Sequence, residues 1–331
     1  MTDAVLVVTA LDDVTADWVI AALNRRAVPV VRVDPADIGT GLSFRFCIGA
    51  EVDRWEGRLS TPSRDLQLSD VAAVYYRRPT PYAQRFRHVP RQQKEFVVSE
   101  ARHGLSGVLN SLDDVLYVNH PWAVAQAEFK PAQLRRFAAL GLRVPPTLVT
   151  NEAEAAREFA QGREHVVYKT FRGLPRSDDG ISGAIWAQRV SPQSFDDSLS
   201  VTAHLFQSEI PKAGDARVTV VGPHLFAQRV ATRDGALDWR RGDWSELIHT
   251  PITVPSTIEA ALRNYLASFG LVFGCFDFAL TGDGEHPEDW WVLECNPNGQ
   301  WGWLPDAPAI TEAFADVLCT DMRQVEGAGT P

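Results

Sequence analysis

The sequence predicts a mixed chain: an α/β unit with a parallel sheet at the N-terminus, then α+β units built largely from antiparallel ribbons. Three observations carry this. Residues 4–34 read as strand, amphipathic helix, strand, and such a βαβ unit pairs its strands in parallel. From residue 204 onward short alternating strands follow one another, interrupted by a single helix, as antiparallel ribbons do. At 331 residues the chain exceeds one ordinary core, so two or three subdomains are expected.

Taken in order, "AVLVVTA" (4–10) is a buried strand, "DDVTADWVIAALNRRA" (12–27) a helix and "VPVVRVD" (28–34) a second strand. No GxGxxG follows the first strand, so no dinucleotide site is expected there. "DVAAVYYRRP" (70–79) is a further strand ending in Arg77 and Arg78. Residues 91–112 form a helix of about five turns. Residues 118–150 hold a turn, a helix containing Lys130 and a short strand after "GLRVP". A helix over 151–162 and the strand "HVVYKTF" follow, the strand ending at Lys169. The Gly-, Ser- and Asp-rich stretch "RGLPRSDDGISGA" has no apolar period and reads as a loop. "IWAQRV" resumes as strand, and residues 204–232 hold short alternating strands. "STIEAALRNYLASFG" is a helix, residues 273–296 are a hairpin, and a helix around 307–322 closes the fold. The last residues, 324–331, are expected to fray.

The hairpin raises a chemical question, because the apolar strand "DWWVLECN" ends in Glu294 and Asn296, two residues apart and therefore on one face. A turn over "GDGEHPE" pairs Asp277 with Glu294, Ala279 with Val292 and Thr281 with Trp290. That brings Asp277, Glu294 and Asn296 together. Two carboxylates and an amide converging in apolar surroundings repel unless a cation lies between them, and oxygen-only donors favour Mg²⁺. The competing reading is a strand end turning into solvent, with Asn-Pro and Asn-Gly as turn signals.

Composition narrows the chemistry. Apolar residues make up 45% and charged residues 22% of the chain, an ordinary globular balance, and the net charge of −10 argues against a nucleic-acid binder. No signal peptide and no bilayer-spanning run is visible, and the four cysteines show no metal or redox spacing, so a cytoplasmic protein with reduced thiols is expected. Only four of 32 basic residues are lysines: Lys94, Lys130, Lys169 and Lys212. Against such an arginine-rich background, a lysine suggests a need for a compact ammonium. Magnesium implies phosphate, and Lys169 followed by a Gly-bearing loop suits it, although the usual fate of a lysine is to snorkel at the surface. No P-loop motif is present. The histidines show no nucleophile-activating partners, and the tryptophans at 290, 291, 301 and 303 read as core and rim packing.

The ordered set Lys130, "VVYKT", the Gly loop, "FQSEIPK", "DARVTVVG", "DWR", "FDFAL" and "LECNPNGQW" resembles the ATP-grasp superfamily. Within it, the chain most resembles the maturases of graspetides, the microviridin-like ribosomal peptides, of the actinobacterial type. The resemblance implies an ATP-grasp fold: a Rossmann-like pre-ATP-grasp domain (1–118), a central lobe (119–206) and a C-terminal lobe (207–323), with 324–331 a tail. It implies ATP between the lobes, with Lys130 and Lys169 on its phosphates and the loop 172–183 closing over them. Gln207, Ser208, Glu209 and Ile210 would form the adenine hinge, with Glu209, Lys212 or Asp215 near the adenosine. The family hinge often carries Glu-Tyr where this chain has Ser208-Glu209. Asp277, Glu294 and Asn296 would bind Mg²⁺.

The implied reaction phosphorylates an Asp or Glu side chain of a precursor peptide, after which a Ser/Thr hydroxyl or a Lys amine closes an ester or amide. Arg217 and Arg240 would stabilise the developing charge, competing with the reading of each as a surface ion-pair arginine. Arg77, Arg78, Arg217 and Trp239 would contact the peptide, although Arg77 and Arg78 read equally as a solvated pair before a loop. The leader would dock near "RDGALDWRRG" and a neighbouring helix. Related maturases imply a homodimer. Two rivals stand: a ligase of the glutamate-ligase type joining amino acids to each other or to a protein tail, and a nucleotide-dependent peptide-binding module without turnover.

Overall fold

A computed structural model describes residues 3–172, 185–233 and 235–327. The chain opens with β1 (Ala4–Val8), α1 (Val14–Arg25) and β2 (Val30–Val33). Next come β3 (Ser43–Gly49), β4 (Val52–Ser60), β5 (Asp65–Gln67), β6 (Val71–Tyr76), α2 (Tyr82–Arg85), α3 (Arg91–Leu109) and β7 (Leu116–Val118). Strands β2, β1, β6 and β7 lie side by side, all parallel, as the βαβ pattern requires. Val5 and Val7 pack with α1, while Ala4, Leu6 and Val8 pack with α3 and the β4–β5 ribbon. A sheet covered on both faces needs apolar residues at every position, which explains the unbroken run in β1. Asp13 caps α1, its carboxylate accepting from Thr15 N and Ala16 N. The antiparallel β3–β5 sheet was not anticipated, and the mostly exposed β3 offers little apolar alternation to read.

The second unit contains α4 (Pro121–Ala127), α5 (Lys130–Ala139), β8 (Thr147–Thr150), α6 (Ala153–Ala160), β9 (Val166–Lys169), β10 (Gln188–Val190) and β11 (His204–Ser208). Its antiparallel sheet runs β10-β9-β11-β8. Where one helix around Lys130 was expected, the chain forms two. Pro131 belongs in a first turn, so α4 ends and α5 starts anew at Lys130. Apart from Arg172, the loop 172–183 lies outside the described residues.

The third unit contains β12 (Gly214–Val221), β13 (His224–Ala231), β14 (Ile248–Pro251), α7 (Ser256–Phe269), β15 (Phe273–Leu280), β16 (Trp290–Asn296) and α8 (Ala307–Gly327). Its sheet runs β14-β13-β12-β15-β16. Helix α7 covers one face, packing Leu262 and Tyr265 against Val218, Phe276 and Phe278. Helix α8 returns to the N-terminal sheet, where Ile310, Phe314 and Leu318 join Val5, Val7 and Tyr75. By packing, α8 therefore ties the first unit to the third. Among the described residues no helix is long and apolar enough to cross a membrane, and Cys47, Cys275 and Cys295 are free thiols.

The β15–β16 hairpin pairs Asp277 with Glu294, as its index sum predicts, but the register then shifts by one. Phe278 pairs with Val292, Ala279 with Trp291 and Leu280 with Trp290. A bulge at Leu293 causes the slip. Without it, Val292 and Trp290 would share the face of Glu294. With it, both enter the core: Trp290 is fully buried, edge-on to Phe278 at 5.1 Å, and donates to Gly284 O. The expected Ala279–Val292 and Thr281–Trp290 pairs are thus replaced, while the acidic pair survives.

Candidate active site

A cleft of about 680 Å³ opens between the second unit's sheet and the five-stranded sheet. On its floor, Asn296 Nδ2 lies 3.3 Å from Asp277 Oδ2 and 3.5 Å from Glu294 Oε1. Both carboxylates therefore converge on one side-chain amide. Rotating that amide by half a turn presents its oxygen beside them, giving three hard oxygen donors. The donor set fits Mg²⁺. Among the described residues no cluster of three or more His, Cys, Asp or Glu side chains forms a metal site; here the third donor is an amide.

Cations surround these carboxylates. Arg217, paired across the sheet with Asp277, donates from Nη1 to Asp277 Oδ1 at 2.6 Å. Lys130 Nζ lies 3.1 Å from Glu294 Oε2, and Arg240 Nη1 donates to Glu294 Oε1 at 3.0 Å. Burial alone would raise the Glu294 carboxyl, but Lys130, Arg240 and Lys169 together hold it well below the usual range. Lys169, at the end of β9, is pushed down to about 8 by burial, against the pull of Glu294. Arg240 is itself set by Asp238, which accepts from its Nε at 2.8 Å and its Nη2 at 2.9 Å. Asp238 is buried, and only the string "DWR" hinted at it.

Gln133 is a second positioning residue the sequence reading missed. Its Nε2 donates to Cys295 O at 2.8 Å and its Oε1 accepts from Cys295 N at 3.0 Å. The side chain thus acts as a short strand against the outer edge of β16. One turn earlier on α5 stands Lys130, so the same contact holds Lys130 against Glu294. A buried Gln within "KPAQLRRFAAL", on the face that carries Phe137, was the available signal.

The residues expected to form the hinge lie at the cleft's other end. Gln207, Ser208, Glu209 and Ile210 all line it, as do Lys212 and Asp215. Gln207 is 2% exposed and donates from Nε2 to Thr147 Oγ1 at 2.9 Å. Thr147 gives its own proton to Pro145 O at 2.7 Å, so it can only accept from Gln207. That fixes the amide orientation and leaves Gln207 Oε1 without a donor among the described residues. Glu209 is engaged by Arg189 in a forked pair at 2.6 and 2.7 Å. Lys212 Nζ donates to Asp215 Oδ2 at 2.6 Å and Leu237 O at 2.9 Å. Burial raises Asp215 to about 6, Lys212 notwithstanding.

Of the expected peptide contacts, Arg78, Arg217 and Trp239 line the cleft, and Arg77 does not. Arg77 is 1% exposed, and its donors are directed at Thr15, Asn298, Gly299 and Gln300. An arginine enclosed in this way is in no position to anchor acidic peptide side chains, which corrects the expectation. Trp239 packs at a tilt against Trp303 at 4.8 Å and Trp244 at 5.7 Å, forming an indole wall beside Arg240. Trp290 and Trp301 are core, as anticipated. The segment 233–242 lies in the long connection between the paired strands β13 and β14 and carries a 3-10 turn at Trp239–Arg241.

Comparison with known proteins finds relatives of the whole fold. Residues 4–125 match the MvdD pre-ATP-grasp domain family. A RiPP-associated ATP-grasp ligase of Chryseobacterium gregarium, solved with ADP and a leader and core peptide, superposes with a TM-score of 0.84 at 24% identity, covering 96% of each chain. The macrocyclase MdnC of Microcystis aeruginosa MRC, bound to its precursor peptide MdnA, gives 0.82 at 27% identity over 95% of this chain and 99% of that one. Macrocyclase MdnB of the same organism gives 0.74 at 27% identity, over 96% and 99%. No curated protein sequence matches significantly.

Proposed function

We propose that this chain, an ATP-grasp ligase of the graspetide-maturase type, activates side-chain carboxylates of a ribosomally made precursor peptide and closes them into rings. A peptide Asp or Glu carboxylate attacks the γ-phosphorus of ATP, giving an acyl phosphate and ADP. A Ser or Thr hydroxyl, or a Lys amine, then attacks the acyl carbon. The C–O bond to phosphate breaks, inorganic phosphate leaves, and an ester or amide remains. We assign the reaction to the cytoplasm.

The observation that carries this reading is the Glu294 carboxylate, held between Lys130 at 3.1 Å and Arg240 at 3.0 Å, with Asn296 and Asp277 alongside. Mg²⁺ held by Asp277, Glu294 and Asn296 would offset phosphate charge. Lys130 and Lys169 would bind phosphate oxygens as point charges. Arg240 and Arg217 reach into the same region from the opposite lobe and would stabilise the charge that develops on the transferred phosphoryl group. At the hinge, the fixed Gln207 Oε1, without a partner among the described residues, suits the exocyclic amine of adenine, a donor that guanine lacks at that position. Arg78 and the wall of Trp239 would receive the acidic peptide.

Hydroxylamine trapping tests the reaction class. Incubated with an acidic substrate peptide, ATP and Mg²⁺, the protein should form a peptide hydroxamate and release one ADP for each. AMP with pyrophosphate, or ADP without any hydroxamate, would refute acyl-phosphate formation.

A further inference from the structure

The strand that presents Glu294 and Asn296 ends in a tight turn. Asn296 O accepts from Gly299 N at 3.1 Å. Only glycine fits at 299, because a β-carbon there would meet Cys275 Cβ at 2.6 Å. The outer side of this turn is held by Arg77, from the end of β6 in the N-terminal unit. Its Nη1 donates to Asn298 O and Asn298 Oδ1, both at 3.0 Å, and to Gly299 O at 2.9 Å. Its Nη2 donates to Gln300 Oε1 at 2.9 Å, and Nε to Thr15 Oγ1 at 3.3 Å. Asn298 Nδ2 returns a bond to Arg77 O. From the inner side, Arg217 Nη2 donates to Gln300 O at 3.0 Å while its Nη1 holds Asp277.

We propose that Arg77 is a positioning residue for the cation site. By fixing the 296–300 turn, it fixes where Asn296 stands relative to Asp277 and Glu294. Among the described residues, the one carboxylate within 4 Å of its guanidinium is Asp13, 3.8 Å from Nε and already engaged by Thr9 and Thr15. Burying a guanidinium mainly among neutral oxygens costs more than a surface arginine would, unless its donors all find acceptors. The fork satisfies that condition along one turn, which a lysine's single nitrogen cannot do. The N-terminal unit would thereby act on the cation site without touching nucleotide. This inference rests on the ATP reading above.

The test is calorimetric titration with ADP, in EDTA and in Mg²⁺, of the unsubstituted chain, Arg77→Lys and Asn298→Ala. Asn298→Ala removes only the Oδ1 acceptor and leaves the buried Arg77 guanidinium with Asn298 O, Gly299 O and Gln300 Oε1, so it stands if Arg77→Lys fails to fold. Metal-free ADP binding should stay unchanged in both variants. The tightening that Mg²⁺ confers should fall about tenfold, as for other outer-sphere supports of metal ligands. The double variant should be no worse than Arg77→Lys. Full Mg²⁺-dependent tightening in both variants, with only the melting temperature lowered, would overturn the positioning role. Absence of ADP binding by the unsubstituted chain would overturn the ATP reading itself, and this inference with it.

Discussion

Lys169 offers the sharpest quantitative prediction, with pH as the perturbation. Burial pushes its ammonium down to about 8, Lys130 and Arg240 push the same way, and Glu294 pulls upward. Because the folded value lies below the ordinary lysine value, the charge is present at lower pH and lost as pH rises through about 8. If only the ammonium holds phosphate, affinity follows the protonated fraction: about ten to one in favour at pH 7 and about one to ten at pH 9. The ADP dissociation constant should therefore rise about tenfold between those pH values. Calorimetric titration at fixed Mg²⁺ measures it, and repeating the pH 9 point in buffers of different ionisation enthalpy should reveal net proton uptake on binding. Lys169→Arg keeps its charge throughout and should flatten the profile. A flat profile in the unsubstituted chain, or an undiminished slope in Lys169→Arg, would rule out the Lys169 ammonium as the titrating phosphate contact.

Three further outcomes are expected. Glu294→Gln keeps the shape but removes the charge that Lys130 and Arg240 face, so ATP turnover with peptide should fall at least about a thousandfold, as measured by ADP release. Arg217→Ala strips Asp277 of its buried partner and should destabilise the fold by about 3–5 kcal/mol in urea unfolding. Gln207→Leu should weaken ATP about tenfold and narrow the preference for ATP over GTP in competition binding, the loss expected when a buried acceptor for the adenine amine is removed.

Much of this architecture was legible because its signals are local. The βαβ opening follows from unbroken apolar strands around a capped helix, and the Asp277–Glu294 pair follows from counting across one hairpin. The bulge at Leu293 escaped that count, since nothing in "WWVLE" marks which residue drops out; the core's demand for both Trp290 and Val292 decides it. The split of α4 from α5 is marked in sequence by Pro131, which fits only the first turn of a helix. Residues that act through others were the hardest to see. Gln133 and Arg77 carry no motif and Asp238 only the string "DWR", and their roles depend on contacts 162, 54 and 221 positions away or bridged through such a contact. Arg77 and Arg78 look alike in sequence, yet one is enclosed behind the 298–300 turn and the other lines the cleft.

On the proposed function, this cleft joins peptide side chains at the expense of ATP. Mass spectrometry tests it most directly, using acidic peptides with Ser, Thr or Lys taken from reading frames beside the gene, incubated with the protein, ATP and Mg²⁺. Loss of one water mass per ring, dependent on ATP and absent with Glu294→Gln, is the expected result. Mass gained in whole amino-acid residues, or ATP consumed over an unaltered peptide, would contradict it.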